Sequence, residues 1–185
     1  MSLIPAFELG LWNAWIFILP LILISIPGAR ILGRRNSGEY TLLTKKEKKF
    51  AILYMVVLFA SYGYSVFLPL QLGTVWFYLG FSIFLLGMLI EVLTMFDFAM
   101  TPVDKPVTRG VYRFSRNPMY VGEILVYLSI VLACVSWIFF IVTLGTIIIR
   151  QVSVAAEERF CLKKYGDDYR VYMRRTPRWI GMPKS

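Results

Sequence analysis

The sequence contains no histidine and only two cysteines among its 185 residues. Without an imidazole, the chain lacks both the commonest general base at neutral pH and the commonest protein ligand for a metal. Cys134 lies in an apolar segment and Cys161 in a basic one, so the two thiols are expected in different environments. The sequence therefore predicts no metal site, no structural disulfide and no imidazole chemistry.

Charged residues are also scarce, at 17% of the chain against 58% hydrophobic residues. This composition leaves too much apolar surface for an ordinary soluble domain and predicts an integral membrane protein. The formal net charge of +9 comes mainly from lysines and arginines outside the apolar segments. Cations in that position favour contact with anionic lipid headgroups, and nucleic acid is not expected as a partner.

Three apolar segments are each long enough for one membrane helix, which needs about 20 residues. They are residues 11–29, 50–69 and 75–95. The first has neither a preceding cationic stretch nor a following cleavage site, so it is expected to remain in the mature chain. A fourth apolar region, residues 124–149, is too long for one simple helix and too short for two complete ones.

The distribution of positive charge predicts how the fourth region is arranged. Residues 30–49 contain seven lysines and arginines against two glutamates, and the segments on both sides of the fourth region are basic too. Basic loops face the cytoplasm, so both flanks belong on one side and the region forms a helical hairpin turning near residues 134–137. Pro118 suits the start of the first arm and Gly166 the end of the second.

The fold predicted from these segments is an all-α integral membrane protein with five transmembrane helices. The alternative has four, with one long tilted helix and the tail outside. Residues 1–185 are expected to form a single membrane domain, with three spans in residues 1–100. Residues 101–185 then supply a polar loop, the hairpin and a basic tail that returns along the headgroup layer.

Two polar clusters at the ends of the hairpin could perform chemistry. The loop at residues 101–117 contains aromatic and amide groups among its arginines, which would suit an adenosine or a lipid headgroup, although a basic connector is the alternative. Glu157 and Glu158 point about 100° apart on a helix, so at most one is expected to face the interior. Such a carboxylate could bind ribose hydroxyls or a positive sulfonium. The alternative is a solvated pair neutralised by Arg159 or Lys163.

Glu91 is a further candidate, because a charge deep in an apolar span is a functional suspect. It is also close enough to the cytoplasmic end to reach water, which favours a structural role. Gly80 and Gly87 in the same segment predict close helix packing.

Five short motifs resemble the isoprenylcysteine carboxyl methyltransferase family and its phospholipid methyltransferase relatives, in a prokaryotic-type member. The resemblance covers residues 104–177 and depends on the order and spacing of all five. They are VTRGVY at 107–112, RNPMYVG at 116–122, EERFCL at 157–162, YGDDYRVY at 165–172 and RTP at 175–177.

The resemblance implies methyl transfer from S-adenosylmethionine to a lipophilic acceptor, with S-adenosylhomocysteine as the second product. The usual acceptor in the family is the α-carboxylate of a C-terminal prenylated cysteine. The cofactor contacts implied are Asp104, Lys105, Pro106, Val107, Asn117, Pro118, Met119, Tyr120 and Glu157. The substrate contacts expected are Tyr112, Arg113 and Ser153, and the catalytic residues expected are Arg116, Arg150 and Glu158.

The chain departs from the family pattern at two of these positions. Asn117 stands where the family usually has histidine. Its amide can form hydrogen bonds there, but it cannot be protonated and therefore carries no positive charge. Ser153 lies near the position where eukaryotic members have an arginine that holds the substrate. Arg150, one turn earlier, is the nearest replacement.

The absence of histidine favours a carboxylate acceptor, because a carboxylate is already deprotonated at neutral pH and needs no general base. The alternatives are a phospholipid ethanolamine N-methyltransferase and a non-enzymatic membrane protein that binds lipid. The acceptor is expected to enter sideways from the bilayer. The active site is expected at the cytoplasmic face of a multi-pass protein, in a prokaryotic plasma membrane and not the endoplasmic reticulum.

Overall fold

The computed structural model describes residues 7–35 and 39–183, and this part of the chain is helical, with no strand. The all-α class is confirmed. The helices are α1 (Trp15–Arg35), α2 (Glu39–Leu42), α3 (Lys45–Ser65), α4 (Val75–Met100), α5 (Pro118–Cys134), α6 (Trp137–Tyr165) and α7 (Asp167–Arg175), with a 3-10 turn at Gly110–Arg113.

Two of these helices, α4 and α6, are long and apolar enough to cross a membrane. Shorter apolar helices occupy Trp15–Ile31 within α1 and Pro118–Cys134 in α5. Together with α3, these helices overlap the segments for which transmembrane helices are predicted. The five-span topology and the cytoplasmic side of the loop stay predictions.

The helical hairpin is formed by α5 and α6, and it turns where the sequence predicts. Val135 adopts the left-handed conformation with φ 51°, and the Ser136 hydroxyl then caps α6 by accepting a hydrogen bond from the Phe139 N–H at 3.2 Å. Pro118 occupies the first turn of α5. Gly166, with φ 57°, ends α6, so the hairpin begins and ends at residues suited to a helix start and a helix end.

At one end of the bundle, main-chain hydrogen bonds join three connections. The start of α1 pairs with the α3–α4 connection through Ala14 N–H to the Leu68 carbonyl at 2.9 Å. The same connection reaches the hairpin turn through Gln71 N–H to the Ala133 carbonyl at 2.8 Å. The apolar core next to this end includes Phe17, Phe84, Tyr127, Ile130 and Phe139. The loop after α4, the end of α6 and α7 consequently lie at the opposite end.

Glycines allow α4 and α5 to approach each other closely, as predicted for Gly80 and Gly87. A Cβ atom on Gly80 would lie 2.6 Å from the Ser129 carbonyl oxygen. A Cβ atom on Gly87 would lie 3.1 Å from the Gly122 carbonyl oxygen. Because backbone faces backbone, neither helix can shift to admit a side chain, and the loop that joins them is fixed at its two ends.

Candidate active site

The loop between α4 and α5 is anchored on Asp97, in the last turn of α4. The Asp97 carboxylate accepts a hydrogen bond from the Val111 N–H at 3.1 Å and pairs with Arg109 at 3.6 Å. Gly110 crosses directly over it with φ 56°, and a Cβ atom there would lie 1.9 Å from the Asp97 Oδ2 atom. Only glycine fits this crossing, so Gly110 determines where the loop turns toward α5.

After α7 the chain returns and pairs with the residues that precede α5. The Arg116 N–H donates to the Pro177 carbonyl at 3.0 Å, and the Gly181 N–H donates to the Phe114 carbonyl at 3.0 Å. The Asn117 side-chain amide also donates to the Arg178 carbonyl, at 2.9 Å. At the position where the family usually has histidine, the amide thus holds the tail.

A buried tyrosine fixes α7 against the same loop. The Tyr172 hydroxyl donates to the Tyr112 carbonyl at 2.7 Å, and Tyr169 packs beside it with the two rings 5.7 Å apart. Burial raises the pKa of Tyr169 and of Tyr172 well above the ordinary phenol value. Both hydroxyls therefore stay protonated, and Tyr172 remains a hydrogen-bond donor at any physiological pH.

A cavity of about 290 Å³ lies between this loop, the start of α5, the end of α6 and α7. Its size is near the lower end of the range of about 300–1,000 Å³ for small-molecule sites. We call it the cofactor cavity. The predicted site residues that line it are Pro106, Val107, Tyr112, Arg116, Asn117, Pro118, Met119, Tyr120, Arg150, Glu157 and Glu158.

Four predicted site residues do not line the cofactor cavity. Lys105 and Arg113 lie instead in a neighbouring cleft of about 560 Å³, together with Arg175 of α7. We call this the basic cleft. Asp104 is exposed, and Ser153 lines a different cavity between α3 and α6. The roles of these four residues stay predictions.

The two glutamates of α6 have different partners. Glu157 accepts a hydrogen bond from the Tyr120 hydroxyl, which joins the start of α5 to the end of α6. Glu158 is 4% exposed and pairs with neither Arg159 nor Lys163; Arg159 binds Glu47 of α3 at 2.7 Å.

Glu158 is held by two guanidinium groups. Arg178 binds it through both carboxylate oxygens, at 2.5 and 3.3 Å, and Arg116 approaches it at 3.1 Å. The hydrogen bond to Glu158 raises the pKa of Arg178. The Arg116 Nε atom is buried and makes no hydrogen bond within the described part of the chain.

Arg150 is a second enclosed cation of the site, with its side chain 14% exposed. Its Nε and Nη2 atoms donate to Glu123 Oε2 at 2.9 and 2.6 Å. Its guanidinium carbon lies 3.6 Å from the centre of the Tyr54 ring and 4.3 Å from that of Tyr120. The Tyr54 hydroxyl donates to the other Glu123 oxygen at 2.5 Å. Helices α3, α5 and α6 therefore fix this side chain from three directions.

A second cavity, of about 190 Å³, lies between α3 and α6. We call it the α3–α6 groove. Its lining is mostly apolar, with Met55 and Ala156 beside Tyr54 and Ser153. Arg150 and Glu157 line both this groove and the cofactor cavity, so these two side chains form the wall between the two spaces.

Besides aromatic lining residues such as Phe98 and Phe160, sequence reasoning missed Tyr54, Glu123 and Arg178. Glu123 had a usable signal, because a carboxylate within an apolar segment needs a cationic partner and Arg150 is the cation within the same hairpin. Arg178 had none, because its contact with Glu158 depends on the return of the tail after α7.

The cofactor cavity has groups that fit S-adenosylmethionine, the cofactor that the resemblance implies. Aromatic side chains such as Phe98 and Tyr169 offer faces for an adenine ring. Glu157 offers a carboxylate for ribose hydroxyls or a sulfonium. Arg116, which also lines the cavity, carries a positive charge that suits the carboxylate of the amino-acid portion.

Comparisons with known proteins agree with this description. Residues 72–168 match the profile of the family described as phospholipid methyltransferase. An uncharacterized protein of Haemophilus influenzae is 31% identical over 62 residues, which cover 29% of this chain and 98% of that protein. No solved structure matches the chain. The matched segment spans more than half of the chain and contains α4, the polar loop and the hairpin, and on this evidence the protein belongs to the phospholipid methyltransferase family, which includes relatives of the isoprenylcysteine carboxyl methyltransferases.

Proposed function

We propose that the protein, as a member of a family of membrane methyltransferases, transfers a methyl group from S-adenosylmethionine in the cofactor cavity to a lipophilic acceptor in the α3–α6 groove. The observation that supports this most directly is the shared wall: Arg150 and Glu157 line both spaces. The bound cofactor would supply the methyl group from its sulfonium and leave as S-adenosylhomocysteine. An acceptor in the groove then needs to cross only this wall to reach the methyl group.

The acceptor group that we favour is a carboxylate, as in the α-carboxylate of a prenylated cysteine. Arg150 uses Nε and Nη2 to bind Glu123, which leaves Nη1 outside this pair. This edge of the planar guanidinium can donate to an incoming carboxylate. A carboxylate requires no general base, and alignment alone can lower the barrier by about 7–11 kcal/mol.

The second candidate acceptor is the amine of an ethanolamine phospholipid. The description of the matching family favours it, as does the Glu157 carboxylate, which lines the groove and would attract a cationic amine. That amine must lose a proton before it can attack the methyl group. Glu157 is the carboxylate best placed to accept it.

We further propose that α1, α3, α4, α5 and α6 span a prokaryotic plasma membrane, with the cofactor cavity at its cytoplasmic face. Helix α6 has 29 residues and is about 43 Å long, against about 30 Å for the hydrocarbon core. Its last turns therefore extend beyond the hydrocarbon, and Glu157 and Glu158 lie in those turns. A lipophilic acceptor could reach the α3–α6 groove without leaving the bilayer.

The basic cleft would face the headgroups at the same boundary. Lys105 and Arg113 of the loop and Arg175 of α7 line it, against one carboxylate from Asp168. We propose that anionic lipid headgroups contact this cleft.

The test is methyl transfer from labelled S-adenosylmethionine by the purified full chain in lipid nanodiscs. Two acceptors are compared, a prenylcysteine analogue and phosphatidylethanolamine. We expect product from the prenylcysteine analogue. Product from the lipid amine alone would establish the second candidate, and no cofactor binding at all would refute the methyltransferase proposal.

The position of the cofactor is tested by Glu157→Gln, which removes the carboxylate and keeps the shape. Isothermal titration calorimetry should show cofactor affinity about tenfold or more weaker, because charged hydrogen bonds contribute about 1.5–3 kcal/mol. Asp167→Asn is the matched control, since the Asp167 side chain is 91% exposed and Asp167 does not line the cavity. Equal affinity in the two variants would remove Glu157 from the cofactor site.

A further inference from the structure

We propose that Glu123 determines which charge the acceptor group carries, by compensating the positive charge of Arg150 at the wall between the two cavities. This makes Glu123 a specificity-determining residue that acts through Arg150 and touches neither cofactor nor acceptor. The inference rests on the proposed function only in placing the acceptor at that wall.

The first step is that Glu123 has no capacity to spare. Its side chain is buried, with 6% of the residue exposed. One carboxylate oxygen accepts both Arg150 hydrogen bonds, at 2.9 and 2.6 Å, and the other accepts the Tyr54 hydroxyl at 2.5 Å. Glu123 lines neither cavity. It is therefore placed to hold Arg150 and cannot itself bind a ligand.

The second step concerns the charges around Arg150. Glu157 of α6 shares the wall with it. Glu91 of α4 is 3% exposed and packs against Gly122, where a Cβ atom would lie 2.8 Å from the Glu91 Oε1 atom. Glu123 binds the guanidinium directly, Glu157 shares the wall with it, and Glu91 lies behind them at the contact of α4 with α5.

The third step is what this balance does to an acceptor. A guanidinium whose charge is compensated still offers Nη1 as a hydrogen-bond donor, but it attracts an anion weakly and repels a cation weakly. At the compensated wall, a carboxylate would bind mainly through well-aligned hydrogen bonds, and attraction between charges would contribute less. Without the Glu123 charge, the same guanidinium would strongly prefer an anionic acceptor.

The experiment uses Glu123→Gln, whose amide oxygen can still accept from Arg150 while its amide nitrogen donates to the Tyr54 oxygen. Two farnesyl thioethers with identical tails are compared, one ending in a carboxylate and one in an amine. The measured quantity is kcat/KM for each acceptor, or the inhibition constant for an acceptor that is not methylated. We call the value for the carboxylate divided by the value for the amine the carboxylate-to-amine ratio. We expect this ratio to rise by about tenfold or more, because the removed charge lies within a few ångströms of the guanidinium in a poorly hydrated site.

The controls separate charge from shape. Glu123→Asp keeps the charge, and the ratio should stay near that of the unmodified protein even if the rate falls. Tyr54→Phe removes one hydrogen bond and no charge, so it should change both acceptors alike. The double variant Glu123→Gln with Arg150→Gln removes one charge of each sign, so the net charge of the wall equals that of the unmodified protein and the ratio should return toward the original value.

A ratio in Glu123→Gln equal to that of the unmodified protein, with both acceptors weakened alike, would overturn the inference and leave Glu123 a purely structural residue. If Glu123→Gln does not fold, Arg150→Gln is compared with the double variant. These two differ only in the Glu123 charge, so the ratio should be lower in Arg150→Gln, and equal ratios would overturn the inference. A ratio that changes in Glu123→Asp, which shortens the side chain and keeps the charge, would also overturn the inference. Failure of the proposed function would look different, as cofactor binding without methyl transfer to either thioether.

Discussion

The site contains two buried carboxylate–guanidinium clusters whose construction differs. Glu123 is held by one guanidinium and one phenol, all on helices of the bundle. Glu158 is held by two guanidiniums, and one of them, Arg178, belongs to the returning tail and is 44% exposed. The first cluster is neutral and is built into the helix packing. The second has one surplus positive charge and is complete only when the tail is in place.

The difference indicates two separate tasks. A neutral cluster within the wall between the cavities can adjust the preference for an acceptor without disturbing the fold. A cluster that joins α6, the loop and the tail instead assembles the cofactor cavity. Substitutions that disrupt one cluster at a time test this comparison.

The largest effect is expected from Glu158→Ala. It leaves the Arg116 side chain, which is 9% exposed, as an uncompensated buried cation, and such losses cost about 3–5 kcal/mol. We expect a marked fall in the thermal unfolding midpoint in detergent and loss of cofactor binding by calorimetry. An unchanged midpoint would mean that the tail does not depend on this cluster.

A smaller loss of stability is expected from Gly110→Ala. The added Cβ atom would meet Asp97 Oδ2 at 1.9 Å, at a residue with φ 56°, and strained backbone of this kind costs about 1–3 kcal/mol. Cofactor affinity should fall with it, because the loop lines the cavity. Gly145→Ala on α6 is the control: no atom lies within 4 Å of the added carbon, so stability should be unchanged or gain about 0.5–1 kcal/mol. Equal behaviour of the two variants would contradict the role given to Gly110.

The smallest effect is expected when Arg113 and Arg175 of the basic cleft are both changed to glutamine. Methyl transfer should become less sensitive to the fraction of anionic lipid in the nanodisc, by about 1 kcal/mol per cation, with little change in neutral lipid. Arg170→Gln with Arg174→Gln removes the same charge from α7 outside the cleft. If both pairs reduce the lipid dependence equally, general surface charge is responsible and the cleft is not.

Local signals allowed much of the helical framework to be predicted. Apolar length located the helices, Pro118 and Gly166 located the ends of the hairpin, and the glycines of α4 indicated close packing. Each of these features depends on residues near one another in the sequence, where propensity and backbone geometry act directly.

Contacts that depend on tertiary return could not be predicted in the same way. The pairing of Glu158 with Arg178 requires α7 to reverse the chain, and the sequence instead suggested partners on the same helix. Lys105 and Arg113 share a loop with cavity-lining residues but line the neighbouring cleft. For Arg113 the reason is the 3-10 turn, which directs successive side chains to different sides. Helix membership alone also did not indicate that Tyr54 of α3 would reach Glu123.

The pairing of the tail with the loop before α5 has a consequence for the order in which the protein becomes active. Pro177, Arg178 and Gly181 follow all the long helices in the chain, yet they hold residues 114–117 in place. During synthesis all the long helices leave the ribosome before these residues do. The cofactor cavity would then be finished only after the bundle itself, so a partly synthesised chain would have its helices in place and no competent site.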